Sequence, residues 1–343
     1  MLGDTQCDIQ DQETSIMHKL QNSILKHTRV LLEVQEHCGQ LDCLLAFATC
    51  AREFGYVKPK LVQENVIDIK SGRHPLQEMC CSPFVPNDIQ SGSDYGNIKV
   101  LTGPNACGKS VYLKQVAVIV YMAYIGCFVP AESASIGPVD RIFTRIQSID
   151  SVSVGLSTFM IDINQMSQAL KCATENSLVV VDEFGKGTDM VDGMSLLCGC
   201  LIYWLDMGAK CPHVYVSTHF HSLIHQHHLP KSPRIKYMTL ETVHNGEELL
   251  FLYHLIEGHA NSSFAGHIAI QAGLPQELVK RGTEVSDLIR QNKSIEKVDT
   301  KGSDTQLKRC SLIVNKFLEL DLDNDDLSAF LTSYVLPISE GQI

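Results

Sequence analysis

The strongest constraint on the fold is an eight-residue motif, GPNACGKS, at residues 103–110, which fits the pattern G-x-x-x-x-G-K-[ST] in full. A short β-rich run, Ile98 to Leu101, precedes it, and an apolar helical stretch follows from Ser110. Backbone N–H groups of such a loop turn inward around phosphate oxygens, and the helix adds its positive end. The alternative, a coincidental glycine-rich turn, is disfavoured because the motif stands between a strand and a helix.

Two more apolar runs end in polar residues that suit a phosphate site. Leu178 to Val181 is followed by Asp182 and Glu183, and Val214 to Ser217 is followed by Thr218 and His219. Runs that are apolar throughout indicate strands buried on both faces, as in a parallel sheet flanked by helices. Such sheets bind ligands at their carboxyl edge. Taken singly, an acidic helix cap or a structural histidine explains the same residues.

The flanking segments predict further elements. An apolar stripe from Leu31 to Ala48 predicts a long helix that ends near Phe54-Gly55 and has no core of its own. Residues 60–95 read as short extended pieces and loops. A strand pair is expected from Tyr237 to Tyr253 around Asn245-Gly246. Two helices are predicted after this strand pair, from Ser263 to Ala272 and from Gln276 to Ile289. A further helix is predicted at residues 310–320.

Composition indicates a folded protein with no membrane span. Hydrophobic residues make up 44% and charged residues 20% of the 343 residues, which excludes a wholly disordered chain. The longest apolar run, Val116 to Val129, is too short to span a bilayer, and no signal peptide is visible, so we expect a soluble intracellular protein. The 13 cysteines are expected to be reduced core residues. A net charge of −11 argues against a large nucleic-acid surface within this chain.

Five ordered motifs resemble the ATPase domain of the MutS family, which comprises DNA mismatch-repair and recombination ATPases related to the ABC class. They are TGPNACGKS, FVPAESASIGPVDRIFTRI, GLSTFMIDI, LVVVDEFGKGT and STHF, supported by GRHPL at residues 72–76 and FVPN at residues 84–87. DEFGKGT, KRGTEVSDLIR at residues 280–290, and the LDLD and VLP segments of the tail resemble the branch that acts in meiotic recombination.

The resemblance implies an α/β fold: a P-loop ABC-type ATPase with a mostly parallel sheet, a preceding helical arm and a C-terminal helix-turn-helix. It divides the chain into the end of a helical lever or core domain at 1–60, the ATPase domain at 61–257, a dimerisation helix-turn-helix at 258–292, and a linker with an acidic tail at 293–343. It also implies a nuclear protein that pairs with another MutS homologue and, in the intact complex, binds double-stranded or branched DNA.

The resemblance assigns roles to individual residues. Glu183 falls on the catalytic base, His219 on a γ-phosphate sensor, and Ser110 and Asp182 on Mg²⁺. Ser157 falls on a position that reaches the partner's nucleotide, and Phe84 on one that stacks on adenine, with His254 facing the same base. The residues implied to contact ATP are Gly103, Pro104, Asn105, Ala106, Cys107, Gly108, Lys109, Ser110, Val111, Phe84 and Ser157.

Several residues depart from the family pattern. Ala106 and Cys107 stand where repair members carry Met and Gly, Lys186 replaces an Arg, and Asp189 replaces a Ser. The residues after Phe264 differ as well. These departures put the rate of hydrolysis in question more than nucleotide binding. Three alternatives therefore stay open: a mismatch-repair homologue, a nucleotide-binding scaffold with little hydrolysis, and an ABC-type ATPase of another machine.

Overall fold

The computed structural model describes residues 2–146, 158–220, 222–225, 228–245, 248–260, 264–291, 293–295, 311–319 and 327–331. The chain divides into two units, Met1–Gly273 and Leu274–Ile343. The strands of the described residues are β1 (Lys60–Leu61), β2 (Val66–Gly72), β3 (Asn87–Gly92), β4 (Ile98–Thr102), β5 (Ser133–Ile136), β6 (Arg141–Arg145), β7 (Ser177–Asp182), β8 (His213–Ser217), β9 (Ile235–Asn245) and β10 (Glu248–Glu257). The α-helices are α1 (Leu2–Leu25), α2 (Thr28–Glu53), α3 (Gln77–Cys80), α4 (Lys109–Tyr124), α5 (Thr158–Cys172), α6 (Met190–Asp206), α7 (Ser222–His225), α8 (Ala265–Gln271), α9 (Gln276–Arg290), α10 (311–318) and α11 (Leu327–Phe330).

A mixed six-stranded sheet carries the motifs. Its strand order is β10-β9-β4-β8-β7-β6, and every neighbouring pair from β9 to β6 is parallel. All residues of β4, β7 and β8 are buried, which explains the apolar runs in β7 and β8 and the mostly apolar sequence of β4, where the buried Lys99 interrupts the run. The three predicted strands and the α/β class are confirmed. Their carboxyl ends place the phosphate-loop motif, Asp182 and His219 along one edge.

The hairpin at the edge of this sheet is also confirmed. β9 and β10 are antiparallel, with Asn245 opposite Glu248, and the predicted turn residue Gly246 lies outside the described residues. The register shifts between Phe251 and Leu255, where Tyr253 has a left-handed φ of 56°. A bulge of this kind redirects side chains relative to regular alternation.

A second, four-stranded sheet of order β1-β5-β2-β3 forms from the segment predicted as short extended pieces, with β5 added. One buried cluster contains Ile67, Ile69 and Ile89 of this sheet together with Leu113 and Val116 of α4. Leu101 and Tyr215 of the larger sheet belong to the same cluster. Burial of an aliphatic side chain stabilises a fold by about 1.5–3 kcal/mol. Helix α4 is therefore held in a core shared by the two sheets, and the phosphate loop leads directly into it.

The opening helices lack a core, as the sequence predicts. No residue of α2 is buried, and most of its large apolar residues, including Leu31 and Leu41, are more than half exposed. α2 ends at Glu53, next to the predicted break at Phe54-Gly55. Among the described helices, none is both long enough and apolar enough to cross a membrane.

The expectation that the cysteines are core residues is wrong for most of the described ones. Their thiols are free, which agrees with the predicted reduced state. Of the twelve described cysteines, Cys107, Cys127 and Cys211 are buried and Cys198 and Cys200 are partly buried. The other seven are exposed, at positions 7, 38, 43, 50, 80, 81 and 172. Four of the seven lie on α1 and α2, whose apolar surroundings in the sequence are themselves exposed. An apolar neighbourhood in the sequence was therefore not a reliable indicator that these cysteines are buried.

The predicted helix pair near the carboxyl end is present as α8 and α9. Gly273 follows α8 with a φ of 92°, and Pro275 is the N-cap of α9. The boundary between the two compact units falls between Gly273 and Leu274. A helix-turn-helix that acts as one dimerisation element stays a prediction, as do the four domain boundaries.

Candidate functional site

The loop between β4 and α4 has a left-handed backbone conformation at two residues. Ala106 and Gly108 both have positive φ, of 61° and 100°, and Gly108 is the N-cap of α4. The Lys109 side chain is buried and folds back along the loop, since its Nζ donates to the carbonyls of Gly103 at 2.9 Å and Pro104 at 2.7 Å. The loop thus presents a helix amino terminus and an ammonium group in one place, a combination that favours a polyphosphate.

Cys107 does not disturb this turn. The left-handed positions are 106 and 108, and Cys107 has no positive φ, so a side chain fits at 107 without backbone strain. Its side chain is 1% exposed, and a Cβ at Gly103 would lie 3.0 Å from the Cys107 Sγ. Burial raises the pKa of the Cys107 thiol, although the nearby Lys109 ammonium acts in the opposite direction. Cys107 is therefore a neutral, buried thiol that packs under the loop.

Asp182 ends β7 and is anchored by its neighbours. It is 5% exposed, and the Ser217 hydroxyl at the end of β8 donates to its Oδ1. The next residue, Glu183, has a left-handed φ of 53°, and its N–H donates to the Ser217 carbonyl at 3.1 Å. A glutamate rarely adopts this conformation, so the surrounding hydrogen bonds must hold it. Asp182 and Glu183 consequently project from a fixed turn.

Two side chains contact the Glu183 carboxylate. His219 Nε2 contacts Oε1, and the Lys186 ammonium contacts Oε2. Burial by itself raises the pKa of Glu183, but the hydrogen bonds from His219 and Lys186 outweigh it and lower that pKa to about 2. Burial lowers the pKa of Lys109, while Glu183 and Asp182 act to raise it. The Lys109 ammonium and the carboxylates of Asp182 and Glu183 therefore interact at this edge of the sheet.

A cavity of about 310 Å³ adjoins the phosphate loop. Phe84 and Val111 line it, together with the loop residues Ala106, Cys107 and Gly108. The expected adenine neighbour Phe84 thus lies beside the phosphate loop. His254 does not line this cavity; its neighbour Tyr253 does, because the bulge in β10 directs Tyr253 toward Gly108, where a Cβ would lie 3.5 Å from the Tyr253 ring.

Of the other residues predicted to form the site, Ser110, Pro104 and Asn105 are described in the structure and Ser157 is not. Ser110, the proposed metal ligand, is the second residue of α4 and is half-buried. Pro104 and Asn105 lie in the loop, where the Pro104 carbonyl accepts the bond from Lys109. Ser157 lies outside the described residues, and α5 begins at the following residue, Thr158.

Sequence reasoning missed four residues that shape the site. Ser217 holds Asp182, and the Asn87 amide donates to the Tyr253 carbonyl at 2.9 Å, which supports the bulge. Arg145 and Asp162 form a buried ion pair whose arginine also reaches the Asp182 carbonyl. A hydroxyl at the end of the apolar run in β8 was the signal for Ser217. β6, which carries Arg145, was not predicted as a strand.

Comparison with known proteins agrees with the resemblance to the MutS family. A sequence profile described as MutS domain V matches residues 99–290. The chain is similar to MutS protein homolog 5 of Caenorhabditis elegans, with 35% identity over 97% of this chain and 24% of that protein. It is similar to MutS protein homolog 5 of Saccharomyces cerevisiae, with 37% identity over 94% of this chain and 39% of that protein.

Similarity extends to bacterial proteins. DNA mismatch repair protein MutS of Parabacteroides distasonis is 39% identical over 80% of this chain and 32% of that protein. The chain thus spans between about a quarter and two fifths of the length of these relatives.

Proposed function

Because this chain belongs to the MutS family, we propose that it is the ATP-binding and hydrolysing part of a MutS-type DNA clamp. The observation that carries the proposal is the convergence of three strand ends. The loop before Lys109, the carboxylates after β7 and His219 after β8 meet at one edge of the six-stranded sheet. Each group taken alone has a structural explanation, but together they supply a cationic cradle, two carboxylates and a polar sensor.

The residues fit magnesium-ATP. The cavity beside Phe84 opens onto the left-handed loop residues, which places an aromatic ring next to the phosphate cradle. Loop N–H groups and Lys109 bind the phosphates in this proposal, and Ser110 and Asp182 are the oxygen ligands for Mg²⁺. Bound Mg²⁺ supplies charge neutralisation for the transferred phosphoryl group. Phe84 and Tyr253 lie against the base.

Glu183 is the proposed general base, because its carboxylate extends from the same turn as Asp182. Its contact with His219 keeps the carboxylate ionised and fixes its direction. His219 reports on the γ-phosphate through that contact.

Ser157 completes the partner's site in this proposal, so that each ATP contacts two subunits. Closure of the dimer on ATP is relayed through α1 and α2 to the DNA-binding parts of the complex, and hydrolysis resets it. The partner is another MutS homologue, and the DNA is double-stranded or branched. The name of the two eukaryotic relatives supports a role in meiotic recombination and crossover formation, and hence a nuclear location.

Two alternatives are each supported by an observation. A mismatch-repair role is supported by the name of the bacterial relatives, which are as similar to the chain as the eukaryotic ones. A scaffold with little hydrolysis is supported by Lys186, whose ion pair with Glu183 competes with water for the carboxylate.

The proposal is tested with the purified full-length complex by measuring ATP binding at equilibrium and hydrolysis. Lys109→Ala should weaken ATP binding, and Glu183→Gln should lower kcat by about a hundredfold or more while ATP still binds. Ser157→Ala should impair the site on the partner chain. Wild-type complex that ignores magnesium-ATP contradicts the proposal, and Ser157→Ala acting only on its own chain contradicts the shared site.

A further inference from the structure

Arg145 connects three elements at the proposed catalytic edge. It is the last residue of β6, opposite Val181 of β7, and its side chain is buried. Its Nε donates to Asp162 Oδ1 at 2.9 Å and its Nη2 to Asp162 Oδ2, which gives a bidentate ion pair with α5. Its Nη1 donates to the backbone carbonyl of Asp182. One guanidinium therefore joins β6, α5 and the end of β7.

The carbonyl that Arg145 binds belongs to the peptide unit between Asp182 and Glu183. The N–H of that same unit donates to the Ser217 carbonyl at 3.1 Å. The peptide plane is thus fixed at its oxygen from β6 and at its nitrogen from β8. Rotation of this plane changes ψ of Asp182 and φ of Glu183, and Glu183 has the strained φ of 53°. Both carboxylates depend on this one plane for their direction.

Asp162 fixes the position of the arginine. It is 2% exposed, and its two oxygens match the planar guanidinium fork. Asp162 is the fifth residue of α5, which begins immediately after Ser157. A shift of α5 therefore moves Arg145, because a buried charge does not leave its partner without a large energetic cost.

We propose that Arg145 is a positioning residue for ATP hydrolysis, which sets the Asp182–Glu183 peptide plane according to where Asp162 holds it on α5. The inference rests on the proposed function.

The test uses Arg145→Lys in the full-length complex. Lysine keeps a positive charge for Asp162, but its single ammonium lacks the fork that also reaches the Asp182 carbonyl. We expect ATP affinity within about twofold of wild type and kcat lowered between about tenfold and a hundredfold, since small misplacements of catalytic groups have effects of this size. The Mg²⁺ concentration for half-maximal rate should rise as well.

The matched control is Arg141→Lys. Arg141 is on the same strand, and its Nη1 donates to the carbonyl of Cys172 at the other end of α5 at 2.9 Å, so it joins β6 to α5 without touching Asp182. We expect kcat and the Mg²⁺ dependence to stay within about twofold of wild type. Equal losses of kcat in the two variants indicate that only the packing of α5 matters, which overturns the proposal.

A double variant tests whether a loss of activity reflects misfolding. Arg145→Met with Asp162→Leu removes both charges together, so no unpaired buried charge is left. The double variant should bind ATP and should lose kcat as Arg145→Lys does. If it hydrolyses ATP at the wild-type rate, the inference fails. If wild type itself neither binds nor hydrolyses ATP, the proposed function fails instead.

Discussion

At the scale of single residues, the site depends on how Glu183 is paired. A glutamate carboxylate is ordinarily half-protonated near pH 4.5, and here its pKa falls to about 2 because His219 and Lys186 outweigh the effect of burial. The folded state therefore gains stability from Glu183 above its ordinary pKa and loses that stability as pH falls toward 2. In the range where cells operate, Glu183 is fully ionised.

We predict that Lys186→Met raises the pKa of Glu183, because the hydrogen bond and the positive charge of Lys186 are removed. The acidic limb of the kcat–pH profile should then move to higher pH, and the rate near neutrality should rise if the ion pair restrains the carboxylate. The measurement is kcat from pH 8 down to about pH 3, at the pH values where circular dichroism shows that the protein is folded, because the wild-type limb lies below pH 4. Lys210→Met, at an exposed lysine beyond the far end of α6, should leave the profile unchanged. An unchanged acidic limb in Lys186→Met contradicts the pairing.

At the scale of elements, the loop that carries Lys186 is closed by two glycines in backbone contact. A Cβ at Gly193, in the first turn of α6, would lie 2.5 Å from the Gly185 carbonyl oxygen. Gly185 itself has a φ of 87°. Neither position accepts a side chain without movement of the backbone, so the loop from Glu183 to Asp189 is held against the start of α6.

Gly193 and Gly199 offer a matched comparison within α6. We predict that Gly193→Ala destabilises the chain by about 1–3 kcal/mol through overpacking. Gly199 is exposed with nothing within 4 Å of an added Cβ, so Gly199→Ala should stabilise by up to about 1 kcal/mol through helix propensity. Urea denaturation of the two variants measures both values. The same sign for both changes would show that the close approach to Gly185 is not present in solution.

At the scale of the whole molecule, a buried polar chain joins the two sheets. The Ser91 hydroxyl at the end of β3 lies 2.7 Å from His213 Nδ1 at the start of β8, and His213 Nε2 contacts Asn65 Oδ1. Burial, with a smaller effect from Lys99, lowers the pKa of His213 to about 4. The imidazole is therefore neutral in the folded chain, where it joins β8 of the larger sheet to Ser91 of the smaller sheet and to Asn65, the residue before β2.

We predict that this histidine makes the chain sensitive to mild acid. Between the ordinary histidine value of 6.5 and pH 4, the unfolded state binds a proton that the folded state does not, so stability falls. The loss should reach roughly 3 kcal/mol by pH 4. His213→Gln, which keeps polar atoms but does not titrate, should lack this part of the slope. The measurement is the unfolding free energy of wild type and of His213→Gln at pH 7.5 and at pH 5. If the two proteins lose the same stability between these pH values, the prediction is contradicted.

Much of the fold and part of the site were predictable because they are local. The apolar runs at β4, β7 and β8 lie in a sheet interior, where pattern and burial agree. β5 and β6 were missed because both strands are short and alternate irregularly between buried and exposed residues. β5 lies in the smaller sheet, and β6 lies at the edge of the larger one. The exposed cysteines of α1 and α2 were misjudged because an apolar neighbourhood in sequence is buried only when another element covers it.

By itself the sequence determined the family, the strand ends that carry the phosphate loop, Asp182, Glu183 and His219, and the absence of a core in the opening helices. These features follow from short segments, because the motif residues and the spacing of apolar residues can be read from neighbouring positions in the chain. Only the tertiary structure decided that Tyr253 rather than His254 lines the cavity with Phe84, and that Arg145 and Ser217 fix the peptide between Asp182 and Glu183. Those contacts join residues far apart in the chain, and they depend on strand register, a bulge and side-chain direction, which a local pattern does not encode.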